Sequence, residues 1–338
     1  MRDDGILILR GGEVRAALDG RESEIIETVR AAYVAHGAGE SALPQSLFLR
    51  FPGEGRERII ALPAYLGGGF EVAGVKWVSS FPNNIERGLN RASAVIILNS
   101  SETGMPEAIL EGSVISAKRT AASAALAARY LHEETGGTTG VVGCGLINAE
   151  VVRFLLAARP DANEFVIFDL NAARAHQFAQ HCCGLRNGLE VRVASSVEEV
   201  LSVASLVSIA TTAVTPHLAD LSACAPGTTV LHVSLRDLTP EVILSCDNVV
   251  DDVDHVCRAQ TSVHLAEQLV NSRDFIRCTL ADVLAGRAAA RRESGGVTVF
   301  SPFGLGVLDV AVSKLMCELG ARHKFGTVID SFSPPFWG

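Results

Sequence analysis

Three charged side chains in this sequence sit where their type and setting permit chemistry. Lys76 interrupts an apolar run and is flanked by Val75 and Trp77. Turned inward, such a lysine loses hydration, its pKa falls, and it can move a proton near neutral pH. Turned outward, it is an ordinary edge lysine. Arg119 opens a helix of small residues, Lys118-Arg119-Thr120-Ala121-Ala122. The helix dipole disfavours a cation there, so an anionic partner fits, and a guanidinium grips a carboxylate through two hydrogen bonds. The alternative is a surface arginine whose stem covers the helix. Asp237 follows an apolar segment three residues before Pro240. It could accept a proton or hold an amine, or it could simply shape the turn.

A second constellation is backbone-based. Gly143-Cys144-Gly145-Leu146-Ile147-Asn148 follows an apolar strand pattern and leads into a helix pattern. Gly143 permits a tight turn. Gly145 lets the backbone approach a pyrophosphate, Leu146 and Ile147 are placed to bind it, and the helix that follows supplies amides and a dipole that attract it. Asn148 replaces the third glycine of that fingerprint, which predicts a different helix–strand packing. Asp169 ends the next strand, 24 residues after Gly145. A carboxylate there accepts hydrogen bonds from ribose hydroxyls and repels a 2′-phosphate, favouring NAD over NADP. Arg174, close in sequence, argues the other way, and a helix N-cap is the structural alternative for Asp169. Thr211 and Thr212 end a later strand pattern and could lie against the same cofactor.

The elements that must position these groups fall into two patterns. Residues 22–37 read as an amphipathic helix, and 46–51, 58–63, 71–80 and 93–99 as strands separated by Gly- or Pro-containing turns. Together they predict a largely antiparallel sheet, followed by an Ala-rich helix over 116–133. From residue 139 the pattern alternates. Strands are expected at 139–143, 164–169, 191–193, 206–210, 229–233 and 248–251. Helices are expected at 148–158, 172–182 and 197–203. This is the signature of a parallel sheet covered by helices. A last helix, 306–319, can return to the first domain.

The bulk properties bound the function. The chain has 338 residues, 48% hydrophobic and 20% charged, with a net charge of −9. Its length suggests about two domains. A basic nucleic-acid-binding face is not expected. Nor is a signal peptide or membrane span, so a cytoplasmic protein without membrane partners is expected. The eight cysteines form no C-x-x-C pair and the nine histidines lack metal-ligand spacing. Reduced thiols and no metal are therefore expected.

The motifs resemble one family over nearly the full length, the ornithine cyclodeaminase/mu-crystallin family. The carriers are Val75-Lys76-Trp77, Thr103-Gly104-Met105-Pro106, Ser116-Ala117-Lys118-Arg119-Thr120-Ala121-Ala122, Val142-Gly143-Cys144-Gly145, Val249-Val250-Asp251-Asp252 and Ser301-Pro302-Phe303-Gly304-Leu305-Gly306-Val307-Leu308-Asp309. The resemblance implies an α/β protein: a Rossmann nucleotide-binding domain (131–305) plus an α+β substrate-binding and dimerisation domain (1–130, completed by 306–338). It implies NAD, a homodimer and a small amino-acid substrate. By position, Lys76 and Arg119 match the family's carboxylate-binding residues, and Asp237 falls near its catalytic aspartate. Ser301 and Gly304 belong with the cofactor residues. Gln45 stands where the family's early substrate arginine is expected, which argues against ornithine.

Phe81-Pro82-Asn83-Asn84-Ile85, Arg91-Ala92-Ser93-Ala94-Val95, Gly145-Leu146-Ile147-Asn148 and Ser301-Pro302-Phe303-Gly304 resemble one branch, the dehydrogenases of 2,3-diaminopropionate biosynthesis in siderophore and peptide-antibiotic pathways. The implied reaction is NAD-dependent oxidative hydrolysis of N-(2-amino-2-carboxyethyl)-L-glutamate to L-2,3-diaminopropionate, 2-oxoglutarate and NADH. Arg91, Ser93 and Asn84 are then candidate substrate residues, and Lys76 or Asp237 the base. The alternatives are cyclodeamination, imine or keto-acid reduction, and non-catalytic ligand binding of the mu-crystallin kind.

Overall fold

Period-two alternation in the first hundred residues builds one sheet, and continuous apolar runs after residue 139 build another. The computed structural model describes residues 5–53, 55–133, 136–292 and 295–334. The chain divides into a first unit, Met1–Arg119 with Leu305–Gly338, and a second, Thr120–Gly304.

The first unit contains β1 (Ile6–Leu9), β2 (Ser41–Ala42), β3 (Leu47–Arg50), β4 (Arg58–Leu66), β5 (Val72–Ser80), β6 (Ala92–Ser100) and β7 (Pro106–Glu111). Their order is a C-terminal strand (Thr327–Ile329), then β1, β7, β6, β5, β4 and β2, with β3 also on β4. Every pair is antiparallel except β1 with β7. Four strands were not expected from the sequence. β1 is a four-residue apolar run with too few positions to show a period; in β7 buried Ala108 and Leu110 alternate with partly exposed neighbours; β2 and the C-terminal strand are only two and three residues long.

One sheet face buries Ala64, Leu66, Val72, Lys76, Ile96, Leu98, Ala108 and Leu110. The helices Glu22–Gly37 and Gly306–His323 pack together, and the second lies on β4, β5 and β6. Helix Glu22–Gly37 buries Ile25, Ile26, Val29, Ala32 and Tyr33, the periodic set seen in the sequence. Gly306 lets the later helix approach: a Cβ there would stand 3.2 Å from both the Ala64 Cβ and the Leu62 carbonyl. The other face alternates out. Ala61 of β4 is flanked in register by Leu47 and Trp77, which are 69% and 40% exposed.

The second unit holds β8 (Thr139–Val142), β9 (Glu164–Phe168), β10 (Glu190–Val193), β11 (Leu206–Ile209), β12 (Thr229–His232), β13 (Asp247–Val250), β14 (Ile276–Thr279) and β15 (Thr298–Ser301). All pairs are parallel, in the order β10-β9-β8-β11-β12-β15-β13-β14. This is a doubly wound Rossmann-type sheet, as expected, with the order reversing at β8 and β11. Strands β8, β11, β12, β13 and β15 are buried along their whole length, so they read as continuous apolar runs rather than alternating ones. The sequence does not reveal β14 or β15, nor the short helices Pro240–Ser245, Val253–Val256, Ser262–Val270 and Leu280–Leu284. Four- to nine-residue elements are too short for periodicity to separate strand from helix. β15 enters between β12 and β13, out of chain order.

Candidate active site

In the first unit, the inner sheet face brings Lys76 and Arg119 to one carboxylate. Lys76 Nζ lies 2.7 Å from Asp309 Oδ2, and Arg119 Nε donates to Asp309 Oδ1 at 2.9 Å. Ser116 Oγ accepts from Lys76 Nζ at 3.1 Å and from an Arg119 terminal nitrogen at 3.4 Å. All three charged residues are buried, Asp309 completely. Lys76 comes from the middle of β5 and Asp309 from the first turn of Gly306–His323; Arg119 lies inside the helix Gly112–Leu131 rather than opening it as expected, so its anionic partner is set by Asp309 and not by the helix dipole. An acid is favoured in that first turn by the helix dipole. The inward alternative for Lys76 is the observed one. Burial, reinforced by the Arg119 charge and opposed by Asp309, brings its pKa down to about 8. With Lys76 protonated, the trio holds two cations to one anion, and the Arg119 fork has donors beyond those used here. A carboxylate is the ligand that would balance it.

In the second unit, the glycine turn leaves β8 at the reversal of strand order. Gly143 has φ +91°, and a Cβ would lie 2.5 Å from the Ala210 carbonyl. Only glycine meets both conditions. Gly143→Ala should therefore lower the melting temperature and weaken dinucleotide binding at least about tenfold, since the strained backbone alone costs roughly 1–2 kcal/mol. An unchanged titration of NADH fluorescence would contradict this.

Gly145 caps the helix Leu146–Ala158 without a side chain and has open space where a Cβ would be. The first-turn amides at Leu146 and Ile147 are thus left to an external anion, as a pyrophosphate site requires. Leu146 is 68% exposed at this end. Asp169 follows β9; its Oδ2 accepts the Cys144 amide at 2.8 Å and its Oδ1 the Asn171 amide at 2.8 Å. Arg174 lies 3.6 Å from the same carboxylate. Asn171, not Asp169, is the side-chain cap of the next helix. Buried Asn148 does more than replace a glycine. It donates to the Val142 and Gly143 carbonyls at 2.9 and 2.7 Å and accepts from Ser208 Oγ at 2.7 Å, tying the helix to β8 and β11.

Asp237, Thr211 and Ser301 lie near the same strand ends. Asp237 is fully buried; Thr211 donates to its Oδ1 and Ser234 to its Oδ2. Both oxygens are engaged, and hydroxyl donors favour the ionised form. Thr212 is exposed. Ser301 is buried at the end of β15. Gly304 has φ +93°, and Asp251 holds this turn through the Phe303 and Gly304 amides at 2.8 and 2.7 Å. Burial pushes the Asp251 carboxyl up to about 6, against the pull of those amides.

Arg91, Ser93 and Asn84 make no hydrogen bond or ion pair with the Lys76 trio. Ser93 pairs with Ser79 across β5 and β6, on the sheet face opposite Lys76. Asn84 donates to the Asn90 carbonyl at 3.2 Å, and the Phe81 amide donates to the Arg91 carbonyl at 2.8 Å. These bonds brace the segment from which half-buried Arg91 projects. Asp309 is the site residue that the sequence does not single out; its one signal is an acid in an otherwise apolar helix start. Among the described residues, no group of three or more His, Cys, Asp or Glu could hold a metal, and no helix is long and apolar enough to cross a membrane.

This geometry accompanies a match to the model of the ornithine cyclodeaminase/mu-crystallin family over residues 14–322. The chain belongs to that family. An N-((2S)-2-amino-2-carboxyethyl)-L-glutamate dehydrogenase of Staphylococcus aureus is 24% identical over 333 residues, covering 97% of this chain and 99% of the relative. The structure of Thermococcus litoralis Delta(1)-pyrroline-2-carboxylate reductase in complex with NADH and L-proline superposes with a TM-score of 0.86 at 27% identity, covering 95% of this chain and 99% of that one. An archaeal alanine dehydrogenase dimer with bound NAD gives 0.84 at 27% identity, over 96% and 99% of the two chains. This family member thus shares its fold with relatives whose names and ligands point to amino or imino acids and a nicotinamide cofactor.

Proposed function

We propose that this family member is an NAD-dependent dehydrogenase that oxidises the glutamyl Cα–N bond of N-(2-amino-2-carboxyethyl)-L-glutamate and hydrolyses the resulting imine. The observation that carries the reading is the buried Lys76–Asp309–Arg119 trio, which sets a guanidinium with donors to spare beside a lysine whose pKa is brought down to about 8. The substrate has three carboxylates. Arg119 and half-buried Arg91 supply cations for them, while Gln45 is exposed and uncharged. When bound, NAD+ would accept the hydride from the glutamyl Cα. The Gly143–Ile147 turn would hold its pyrophosphate, Asp169 its ribose, and Thr211, Ser301 and Gly304 the nicotinamide end.

Lys76 is the group we assign to proton transfer. It takes the proton from the substrate nitrogen, so the hydride and proton leave an imine. Water then adds to the imine carbon, the C–N bond breaks, and 2-oxoglutarate and L-2,3-diaminopropionate are released. The Asp237 oxygens are already engaged by two hydroxyls, which suits it to orienting the amine rather than accepting its proton.

The sign of the pH dependence follows. The neutral amine of Lys76 is the base, and its fraction rises as pH passes about 8. The kcat/KM profile should therefore climb through that value and level off above it. A bound substrate carboxylate favours the ammonium, so the limb on kcat should lie at higher pH. A profile that falls through this region would show the ammonium to be the active form.

A panel of initial rates tests the substrate. NADH should accumulate with the conjugate, and much less with alanine or proline; ornithine cyclodeamination would give none net. Equal or greater rates with alanine would move the protein to another reading within the family.

The apolar sheet face carrying Leu47, Leu49 and Trp77 supports a homodimer, since these side chains are 69%, 47% and 40% exposed. Leu47→Asp should shift the protein to monomers in sedimentation. Dimers at unchanged strength would exclude this face as the interface.

A further inference from the structure

We propose that His232 is a positioning residue, locked with its proton on Nδ1, that fixes the Asp237 loop through one ring nitrogen and aims the Ser301 hydroxyl through the other. The proposal rests on the reading above in so far as Asp237 and Ser301 act on substrate and cofactor.

His232 ends β12 and Ser301 ends β15; the register Leu231↔Phe300 sets the two side by side. Both are buried, His232 completely. The Asp237 amide donates to His232 Nε2 at 3.1 Å. A backbone N–H can only donate, so Nε2 must present its lone pair. Asp237 Oδ2 stands 3.4 Å from the same nitrogen and would attract a proton placed there. Two arrangements therefore compete. A proton on Nε2 would pair with the carboxylate and strand the buried Asp237 amide, at roughly 1–3 kcal/mol. A bare Nε2 satisfies that amide, and the carboxylate loses little because Thr211 and Ser234 already donate to it. The second arrangement wins.

The remaining ring nitrogen then carries the proton. Nδ1–H faces Ser301 Oγ at 3.3 Å, so the serine accepts and keeps its own hydrogen to donate. Ser301 is thereby made a donor, suited to an acceptor such as the carboxamide oxygen of nicotinamide. The chain between His232 and Asp237 has an unusual shape: Leu235 has φ +72°, costly for a leucine, and its carbonyl accepts the Ser262 amide at 2.7 Å. A fixed imidazole behind this loop keeps the strained turn in one position.

Nitrogen-15 NMR of histidine-labelled full-length protein reads the tautomer without needing turnover, with the His232→Asn spectrum identifying the resonance. The expected result is a neutral ring protonated at Nδ1; a proton on Nε2, or on both nitrogens, overturns the proposal. The two contacts are separable. Asparagine can supply a donor near Nδ1, and glutamine an acceptor near Nε2. His232→Asn should keep the KM for NAD+ and lose kcat about tenfold, one hydrogen bond's worth. His232→Gln should keep more of kcat and raise the KM for NAD+ by a similar factor. Parallel losses in both variants, tracking their melting temperatures, would reduce His232 to a packing residue and overturn the proposal. If the wild-type protein does not turn over the conjugate, the functional reading fails, while the tautomer and an NADH titration of both variants still decide this one.

Discussion

Replacing Arg119 with alanine is expected to lower kcat/KM by at least ~30-fold, about 2 kcal/mol of transition-state stabilisation, as for removal of one buried charged partner. The guanidinium meets Asp309 through Nε and Ser116 through a terminal nitrogen. Those bonds fix its plane, so its remaining donors face a ligand in one orientation. Lysine is not an adequate substitute: its point charge cannot reproduce a planar fork. Arg119→Lys should recover only part of the loss. Steady-state kinetics on the conjugate checks both variants, and a kcat/KM near wild type for Arg119→Ala would remove Arg119 from the site.

Asp309→Ala is expected to cost the most stability. Asp309 is the shared counter-ion of two buried cations, and removing it leaves Lys76 and Arg119 facing each other without water. Breaking a buried pair from one side costs about 3–5 kcal/mol. Equilibrium urea unfolding should show a loss of that order, with no dehydrogenase activity left. Adding Lys76→Met to Asp309→Ala should restore part of the stability but none of the activity, which separates a folding defect from a chemical one. A single variant within about 1 kcal/mol of wild type would mean the trio is not the buried cluster described here.

These residues also mark where the sequence is readable and where it is not. The glycine turn, Asp169 and the strands around them are local features, and each declared itself through spacing alone. So did helix Glu22–Gly37, through Ile25, Val29 and Tyr33. The Lys76 trio is different. Its members were visible as an odd lysine, an odd arginine and a motif aspartate, but Arg119 and Asp309 are 190 positions apart. No local pattern links them; the inner sheet face and the close approach at Gly306 do. Asn148 looked like a lost glycine because the fingerprint says nothing about a side chain that bonds two carbonyls and a serine. β15 was hidden twice, as four buried residues without a period and as a strand that enters the sheet out of order. His232 was hidden for the same reason, since its meaning depends on Ser301 beside it. Family resemblance, which the match over residues 14–322 bears out, supplied what spacing could not: the cofactor and amino-acid chemistry.

The most direct test of the account is an end-point balance. Purified protein is incubated with NAD+ and N-(2-amino-2-carboxyethyl)-L-glutamate, NADH is followed by absorbance, and the amino-acid and keto-acid products are quantified by mass spectrometry. The account predicts NADH, 2-oxoglutarate and L-2,3-diaminopropionate in equal amounts, formed at least ~30-fold more slowly when Arg119 is alanine. NADH without 2-oxoglutarate, or no NADH from the conjugate alongside rapid turnover of alanine or a cyclic imino acid, would contradict it.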